Sequence, residues 1–124
     1  MAGELILIVE DNEKNRKLAR DVLQAKGYQT LEAETGEEGV RLAKERRPAL
    51  VLMDIQLPGI NGITALGQLR ADAATRAIPV IAVTASAMTQ DRQKIMAAGF
   101  DGYQSKPIRV KEFLEAVRAM LDRT

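Results

Sequence analysis

The chain has 124 residues, of which 46% are hydrophobic, and its 18 basic and 17 acidic side chains give a formal net charge of +1. This size fits one globular domain, and the balanced charge argues against nucleic-acid binding. With no Cys and no His, disulfides, thiolate metal sites and imidazole chemistry are excluded. No apolar run reaches the roughly 18 residues of a membrane span and no signal peptide opens the chain, so we expect a cytoplasmic protein without membrane contact.

Hydrophobic periodicity predicts five strands that alternate with five helices. The strands are expected at residues 5–9, 29–33, 49–53, 79–83 and 103–105. The helices are expected at about residues 13–26, 35–46, 63–71, 89–98 and 110–121. Thr35 and Glu38 fit a capping box before the second helix, and Gly99 closes the fourth.

Strands that alternate with helices indicate a parallel sheet covered on both faces, with right-handed crossovers. The first, third and fourth strands are nearly continuous apolar runs, which is typical of strands buried on both faces. We therefore predict one α/β domain over residues 1–124, a doubly wound five-stranded parallel sheet of flavodoxin-like order 2-1-3-4-5.

Polar side chains follow four of these strands. Glu10 and Asp11 follow the first, Asp54 ends the third, Thr84 follows the fourth and Lys106 follows the fifth. Parallel strands end at the same edge of the sheet, and open α/β sheets bind ligands there, at the point where the winding reverses. We expect these five side chains to meet at that edge.

Three neighbouring carboxylates repel each other, by about 4 kcal/mol per close pair when the effective dielectric constant is about 20. A hard divalent cation such as Mg²⁺, which prefers oxygen ligands, would offset this repulsion. Together with the Lys106 ammonium and the Thr84 hydroxyl, the cation would make a pocket for a phosphoryl group. Since the chain has no His or Cys, the nucleophile is expected to be a carboxylate, and Asp54 is the best placed.

Each of these residues also has an ordinary structural interpretation. Asp11 could serve simply as a cap of the first helix, and Glu10 could be a solvated loop residue. Thr84 could cap a turn, and Lys106 could be a surface lysine. Asp54 is the hardest to explain in this way, because a charge at the end of a buried strand needs a partner. The convergence of five compatible groups at one edge favours the phosphoryl site.

The sequence resembles bacterial response-regulator receiver domains over residues 5–121, and is similar to the stand-alone receivers of the DivK type. The resemblance depends on short motifs found in the right order and at the right spacing. These motifs are IVEDN at 8–12, LMDIQLPG at 52–59, Gly62, VTA at 83–85 and KP at 106–107.

The resemblance implies a signalling phosphoacceptor rather than an enzyme with turnover. Asp54 would take a phosphoryl group from the phosphohistidine of a sensor histidine kinase or a histidine phosphotransfer protein. Mg²⁺ would be bound by Asp11, by Asp54, by the main-chain carbonyl of Gln56, and by Glu10 through water. The family's receivers also assist their own phosphorylation and dephosphorylation.

The resemblance also implies a switch. Lys106 and Thr84 would contact the phosphoryl oxygens, and the Lys106–Pro107 peptide bond would be cis. Movement of Thr84 would let Tyr103 turn inward, which would change a surface made by the fourth helix, fifth strand and fifth helix, roughly residues 89–123, that binds a downstream protein. Tyr103 could also be an ordinary half-buried strand aromatic.

Two positions depart from the common receiver pattern. The acidic pair is Glu10–Asp11 rather than two aspartates, which should still bind Mg²⁺. Arg109 stands where a capping residue is usual, and it opposes the helix dipole, so we expect a frayed start to the last helix. Gln56 and Ser86 would adjoin the pocket and influence the lifetime of the phosphate.

Several alternatives remain open at this point. The chain could be a free-standing regulator without an output domain or a receiver from a hybrid sensor kinase, and it could form a homodimer through the switch surface. An aspartate-nucleophile phosphatase would place a second Asp two residues after Asp11, where Glu13 stands. A flavodoxin-type carrier would need a hydroxyl-rich loop after the first strand, where Glu10 and Asp11 would repel the flavin phosphate.

Overall fold

The structure is a computed structural model that describes residues 3–85 and 89–123. The strands are β1 (Leu5–Val9), β2 (Gln29–Ala33), β3 (Leu50–Asp54), β4 (Val80–Thr84) and β5 (Gly102–Ser105). The helices are α1 (Glu13–Ala25), α2 (Gly36–Arg46), α3 (Gly62–Ala71), α4 (Thr89–Ala97) and α5 (Val110–Asp122). Within the described residues, no helix is long and apolar enough to cross a membrane.

The five strands form one sheet in the order β2-β1-β3-β4-β5, and every neighbouring pair is parallel. The predicted fold class and strand order are therefore confirmed. β1 pairs with β2 on one side and with β3 on the other, so the winding reverses beside β1. This reversal places the ends of β1 and β3 next to each other.

The sheet has an apolar core on each face. Successive side chains of a strand point to opposite faces, and β1 illustrates this, since Leu7 and Val9 belong to one core and Ile6 and Ile8 to the other. The core on the Leu7 face includes buried side chains of α2 and α3, and the core on the Ile6 face includes buried side chains of α1 and α5. Burial on both faces explains the continuous apolar runs.

Two strands lie one residue later in the sequence than the apolar pattern predicts. β3 and β4 were expected at 49–53 and 79–83, but they span Leu50–Asp54 and Val80–Thr84. The ladder continues because Asp54 lies opposite Val83, and Thr84 lies opposite Ser105. Both polar side chains therefore stand on regular strand backbone, which fixes their direction more firmly than a loop would.

Helix ends follow the predicted signals with one difference. The Thr35 side chain accepts a hydrogen bond from the Glu38 N–H, as the capping box predicts, but the Glu38 carboxylate accepts from the N–H of Glu34 rather than that of Thr35. Apolar residues at helical spacing are not all buried: Leu18 of α1 is 39% exposed, and Val110 of α5 is 47% exposed.

Arg109 is the N-cap residue of α5 and makes no side-chain capping bond. We expect Arg109→Asp to raise the free energy of unfolding by about 0.5–1 kcal/mol, because a carboxylate accepts helix N–H groups and suits the positive end of the dipole. Among the side chains that the structure describes, Arg109 loses only an exposed contact of 3.8 Å to Glu112. Lys111→Asp, in the same turn, is the control that changes the charge without supplying a cap. Urea unfolding measures both, and equal gains would mean that charge alone acts.

Candidate functional site

Glu10 begins the loop that joins β1 to α1, and it is 5% exposed. Its N–H donates to the carbonyl of Ala33 at 2.9 Å, which continues the β1–β2 pairing beyond the strand. One carboxylate oxygen, Oε2, accepts the N–H of Asn12 at 3.2 Å. The side chain of Asn12 in turn caps α1 by accepting the N–H of Asn15 at 3.0 Å, so the loop is compact and turns directly into the helix.

Asp54 is the last residue of β3 and is 4% exposed. Its Oδ1 accepts the N–H of Gln56 at 3.1 Å, which folds the following loop back over the strand end. Gly62 starts α3 beneath this loop, and a Cβ at this position would overlap the Asp54 carbonyl oxygen. A residue without a side chain is therefore required there for α3 to begin so close to the acidic residue.

Lys106 joins the two buried acids. Its Nζ lies 2.9 Å from Asp54 Oδ2 and 2.6 Å from Glu10 Oε1, and its side chain is 16% exposed. Lys106 follows β5 directly, its N–H donates to the Thr84 carbonyl at 2.8 Å, and its peptide bond to Pro107 is cis. The lysine is thus a partner of both buried carboxylates rather than a surface residue.

Asp11 completes an acidic cluster with Glu10 and Asp54. One carboxylate oxygen from each of the three lies within 4.8 Å of the others, and Asp11 is exposed while the other two are buried. Three carboxylates and one ammonium leave the cluster with a formal charge of −2. An all-oxygen donor set with this excess charge and one open side fits a hard divalent cation.

The charge state of Glu10 reflects this crowding. Burial, together with the neighbouring Asp54 carboxylate, raises the pKa of Glu10 from 4.5 to about 7, although Lys106 acts in the opposite direction. The pKa of Lys106 is itself raised: burial favours the neutral form, but the hydrogen bonds and charges of Glu10 and Asp54 outweigh it and keep the ammonium charged. A second cation at the cluster would favour the ionised form of Glu10 and lower its pKa.

Thr84 and Tyr103 lie on the β4–β5 side of the cluster. Thr84 is the last residue of β4 and is 2% exposed, and Tyr103 is half-buried on β5, opposite Ala82. The guanidinium carbon of Arg92, on α4, lies 5.3 Å from the centre of the Tyr103 ring. This cation–π contact links the aromatic ring to the helix on the same side of the sheet.

The structure therefore brings Glu10, Asp11, Asp54 and Lys106 together and puts Thr84 at the neighbouring strand end. Gln56 is exposed and reaches Asp54 through its N–H, and a metal-binding role of its carbonyl stays a prediction. Ser86 lies outside the described residues.

Sequence reasoning missed Arg16. Its Nη1 donates to the Glu10 carbonyl at 3.0 Å, and its Nε donates to Glu32 Oε1 at 3.0 Å. A basic residue near the start of a helix opposes the dipole, and this unfavourable placement was the signal in the sequence that could have identified it.

Comparisons with known proteins agree with this geometry. The family model for the response regulator receiver domain matches residues 6–118. The chain belongs to the response regulator receiver domain family. The receiver domain is 48% identical over 116 residues to the polar-differentiation response regulator DivK of Brucella anthropi. It is 47% identical over 116 residues to DivK of Brucella ovis. In both cases the aligned segment covers 94% of this chain and 94% of the relative.

Solved receiver structures share the fold. The receiver domain of a sensor histidine kinase from Pseudomonas aeruginosa superposes with a TM-score of 0.90 at 33% identity, covering 97% of this chain and 98% of that one, and a magnesium ion is coordinated in its active-site cleft. A CheY-like receiver protein from Methanospirillum hungatei gives a TM-score of 0.88 at 28% identity over 98% and 95% of the two chains. The protein is thus a two-component receiver domain, and the phosphatase and flavin-carrier alternatives are not favoured.

The exposed acid of the cluster provides a test of the charge argument. Asp11→Asn should raise the free energy of unfolding of the metal-free protein by about 0.5 kcal/mol, because it removes one repelling charge near the surface. It should also abolish any stabilisation by Mg²⁺. The control is Glu13→Gln, which removes an exposed charge two residues further along. Thermal unfolding with EDTA or Mg²⁺ measures both, and a lower melting temperature of metal-free Asp11→Asn would contradict the argument.

The raised pKa of Glu10 predicts how stability depends on pH. Between pH 4.5 and about 7 the folded protein holds a proton on Glu10 that the unfolded chain releases, so raising the pH through this window lowers stability. The loss should be about 2–3 kcal/mol in EDTA, and it should be absent in Glu10→Gln. Urea unfolding at pH 5 and pH 7.5 measures it. An equal loss of unfolding free energy between pH 5 and pH 7.5 in the wild type and in Glu10→Gln would refute the assignment to Glu10.

Proposed function

We propose that this receiver domain is a phosphoacceptor in a two-component or phosphorelay system, and that Asp54 is the residue phosphorylated. The observation that carries the proposal is the Lys106 ammonium, held between the carboxylates of Asp54 and Glu10 at 2.9 and 2.6 Å. A buried carboxylate beside a fixed ammonium and two further acids is equipped to exchange phosphoryl groups.

In the proposed reaction an oxygen of Asp54 attacks the phosphorus of a phosphohistidine. A P–O bond to the carboxylate forms while the P–N bond breaks, and the imidazole leaves with the electron pair of that bond. Asp54 is held for the attack, because one oxygen accepts the Gln56 N–H and the other accepts Lys106 Nζ. Since the chain has no His, the donor must be another protein, a sensor histidine kinase or a histidine phosphotransfer protein.

The groups that Lys106 contacts would change as the proposed reaction proceeds. Lys106 is paired with both Asp54 and Glu10 before the reaction and can contact a phosphoryl oxygen afterwards, when the carboxylate has become an acyl phosphate. Asp11, Asp54, the Gln56 carbonyl and, through water, Glu10 would hold Mg²⁺. When bound, that cation supplies positive charge that lowers the repulsion between the acids and an incoming phosphoryl group.

We further propose that Thr84 donates a hydrogen bond to the phosphoryl group and that Tyr103 responds to it. The two residues lie on neighbouring strands at the site, and Tyr103 contacts Arg92 of α4. A change at Thr84 would thereby alter the surface formed by α4, β5 and α5, and with it the binding of a downstream protein. The domain would thus signal by association and not by turnover.

The similarity to the DivK relatives covers 94% of the chain and 94% of each relative. It supports the proposal that the phosphorylated surface of the receiver domain itself carries the signal.

The deciding experiment is the intact mass of the protein after incubation with acetyl phosphate and Mg²⁺. We expect one added phosphoryl group on the wild type, and none on Asp54→Asn or when EDTA replaces Mg²⁺. Asp72→Asn is the matched control, since Asp72 lies in a loop and pairs with Lys44 instead of Lys106. It should be phosphorylated like the wild type.

A short-lived phosphate would escape detection by mass. Beryllium fluoride with Mg²⁺ should therefore raise the melting temperature of the wild type and of Asp72→Asn, and leave that of Asp54→Asn unchanged. Absence of both the adduct and this shift would show that the domain does not work by phosphorylation of Asp54.

A further inference from the structure

Arg16 is anchored to the acidic loop, residues 10–12, which joins β1 to α1. It lies in the first turn of α1, its side chain is only 14% exposed, and its Nη1 donates to the main-chain carbonyl of Glu10 at 3.0 Å. The remaining contacts of its guanidinium run away from the pocket, to Glu32 at 3.0 Å and to Glu34 at 3.8 Å. The side chain thus joins the acidic loop to β2.

The carbonyl that Arg16 holds belongs to the peptide unit between Glu10 and Asp11. Rotation of that peptide plane would change the backbone angles on both sides of it, and so would turn both carboxylates. The Glu10 N–H is fixed by Ala33 and the Glu10 carboxylate by Asn12 and Lys106. Among residues 3–85 and 89–123, no hydrogen bond or ion pair holds the exposed Asp11 carboxylate. The orientation of the Asp11 side chain therefore depends on this peptide unit more than the orientations of the other side chains in the cluster do.

We infer that Arg16 is a positioning residue for the cation site, which orients the Asp11 carboxylate by holding the Glu10–Asp11 peptide unit. The inference rests on the proposed function of the cluster as a cation and phosphoryl site. Its chemical content is specific: a planar guanidinium binds a carbonyl and a carboxylate at the same time, which a lysine ammonium on a flexible stem does less rigidly.

Electrostatics and positioning predict opposite results when the charge of Arg16 is removed. If Arg16 acted only as a nearby positive charge, its loss would strengthen the binding of a cation to the acids. If it positions Asp11, its loss weakens binding, by about tenfold, as for other residues that orient metal ligands. The sign of the change alone therefore separates the two roles.

Arg20 provides a matched control on the same helix. It binds the same Glu32 carboxylate, at 3.1 and 3.0 Å, and none of its described contacts reaches Glu10. Arg20→Gln thus removes an equal charge and an ion pair to the same partner, while the carbonyl contact is kept. Arg16→Lys keeps the charge but loses the two-sided geometry.

The experiment measures the Mg²⁺ dissociation constant of metal-free wild type, Arg16→Gln, Arg16→Lys and Arg20→Gln by calorimetric titration. Urea unfolding checks that each variant is folded. We expect about tenfold weaker binding for Arg16→Gln, weaker binding for Arg16→Lys, and unchanged or slightly tighter binding for Arg20→Gln. In metal-free protein, the Asp11 amide resonance should shift in both Arg16 variants and stay in place in Arg20→Gln.

Two failures are distinguishable. If the wild type does not bind Mg²⁺, the proposed cation site is wrong, whatever Arg16 does. If the wild type binds and Arg16→Gln binds equally or more tightly, or if Arg20→Gln weakens binding as much, Arg16 does not position the site. Should Arg16→Gln prove unfolded, the folded Arg16→Lys decides: wild-type affinity together with an unmoved Asp11 amide overturns the inference.

Discussion

The bridge from Lys106 to two buried carboxylates is the constraint on which the site depends. Glu10, Asp54 and Lys106 follow β1, β3 and β5, so the bridge exists only when the sheet is complete. Neighbouring strands lie about 4.8 Å apart, which puts the ends of β3 and β5 about 10 Å apart, with β4 between them. Only a long side chain spans that gap, and the residue that ends β4, Thr84, is small enough to leave it room.

The same bridge leaves the pocket with unbalanced charge. Lys106 neutralises one of three acids, and the pKa of Glu10, raised to about 7, shows how poorly the buried site holds the remaining charge. A formal charge of −2 matches one divalent cation. With that cation bound the cluster would be neutral, and the approach of a phosphoryl group would no longer be opposed by the nucleophile's own neighbours. The acidity that destabilises the metal-free protein is thus the property that would prepare the pocket for phosphoryl transfer.

The strands, their order and the meeting of Glu10, Asp11, Asp54 and Lys106 could be predicted from the sequence, because apolar runs locate strand ends and parallel strands share an edge. The one-residue shift of β3 and β4 could not be predicted, since Asp54 and Thr84 are polar and continue the ladder through backbone bonds. Nor could periodicity predict the Glu10–Lys106 ion pair or the Arg16–carbonyl bond. Both depend on the rotamers that these two long side chains adopt in the folded protein, and the tertiary neighbours decide which rotamers those are.

The two cationic anchors of the acidic loop differ in a way that bears on signalling. Lys106 binds Asp54, whose charge the proposed reaction changes. Arg16 binds a carbonyl that the reaction leaves unchanged, and it is tied to β2 through Glu32. Phosphorylation of Asp54 would therefore redistribute the contacts of Lys106 and leave those of Arg16 in place. The β1–β2 side would act as a fixed frame, and movement would be directed to the opposite side, where Thr84 ends β4 and Arg92 contacts Tyr103. The asymmetry of the anchors thus gives a physical reason for a switch on the α4–β5 side.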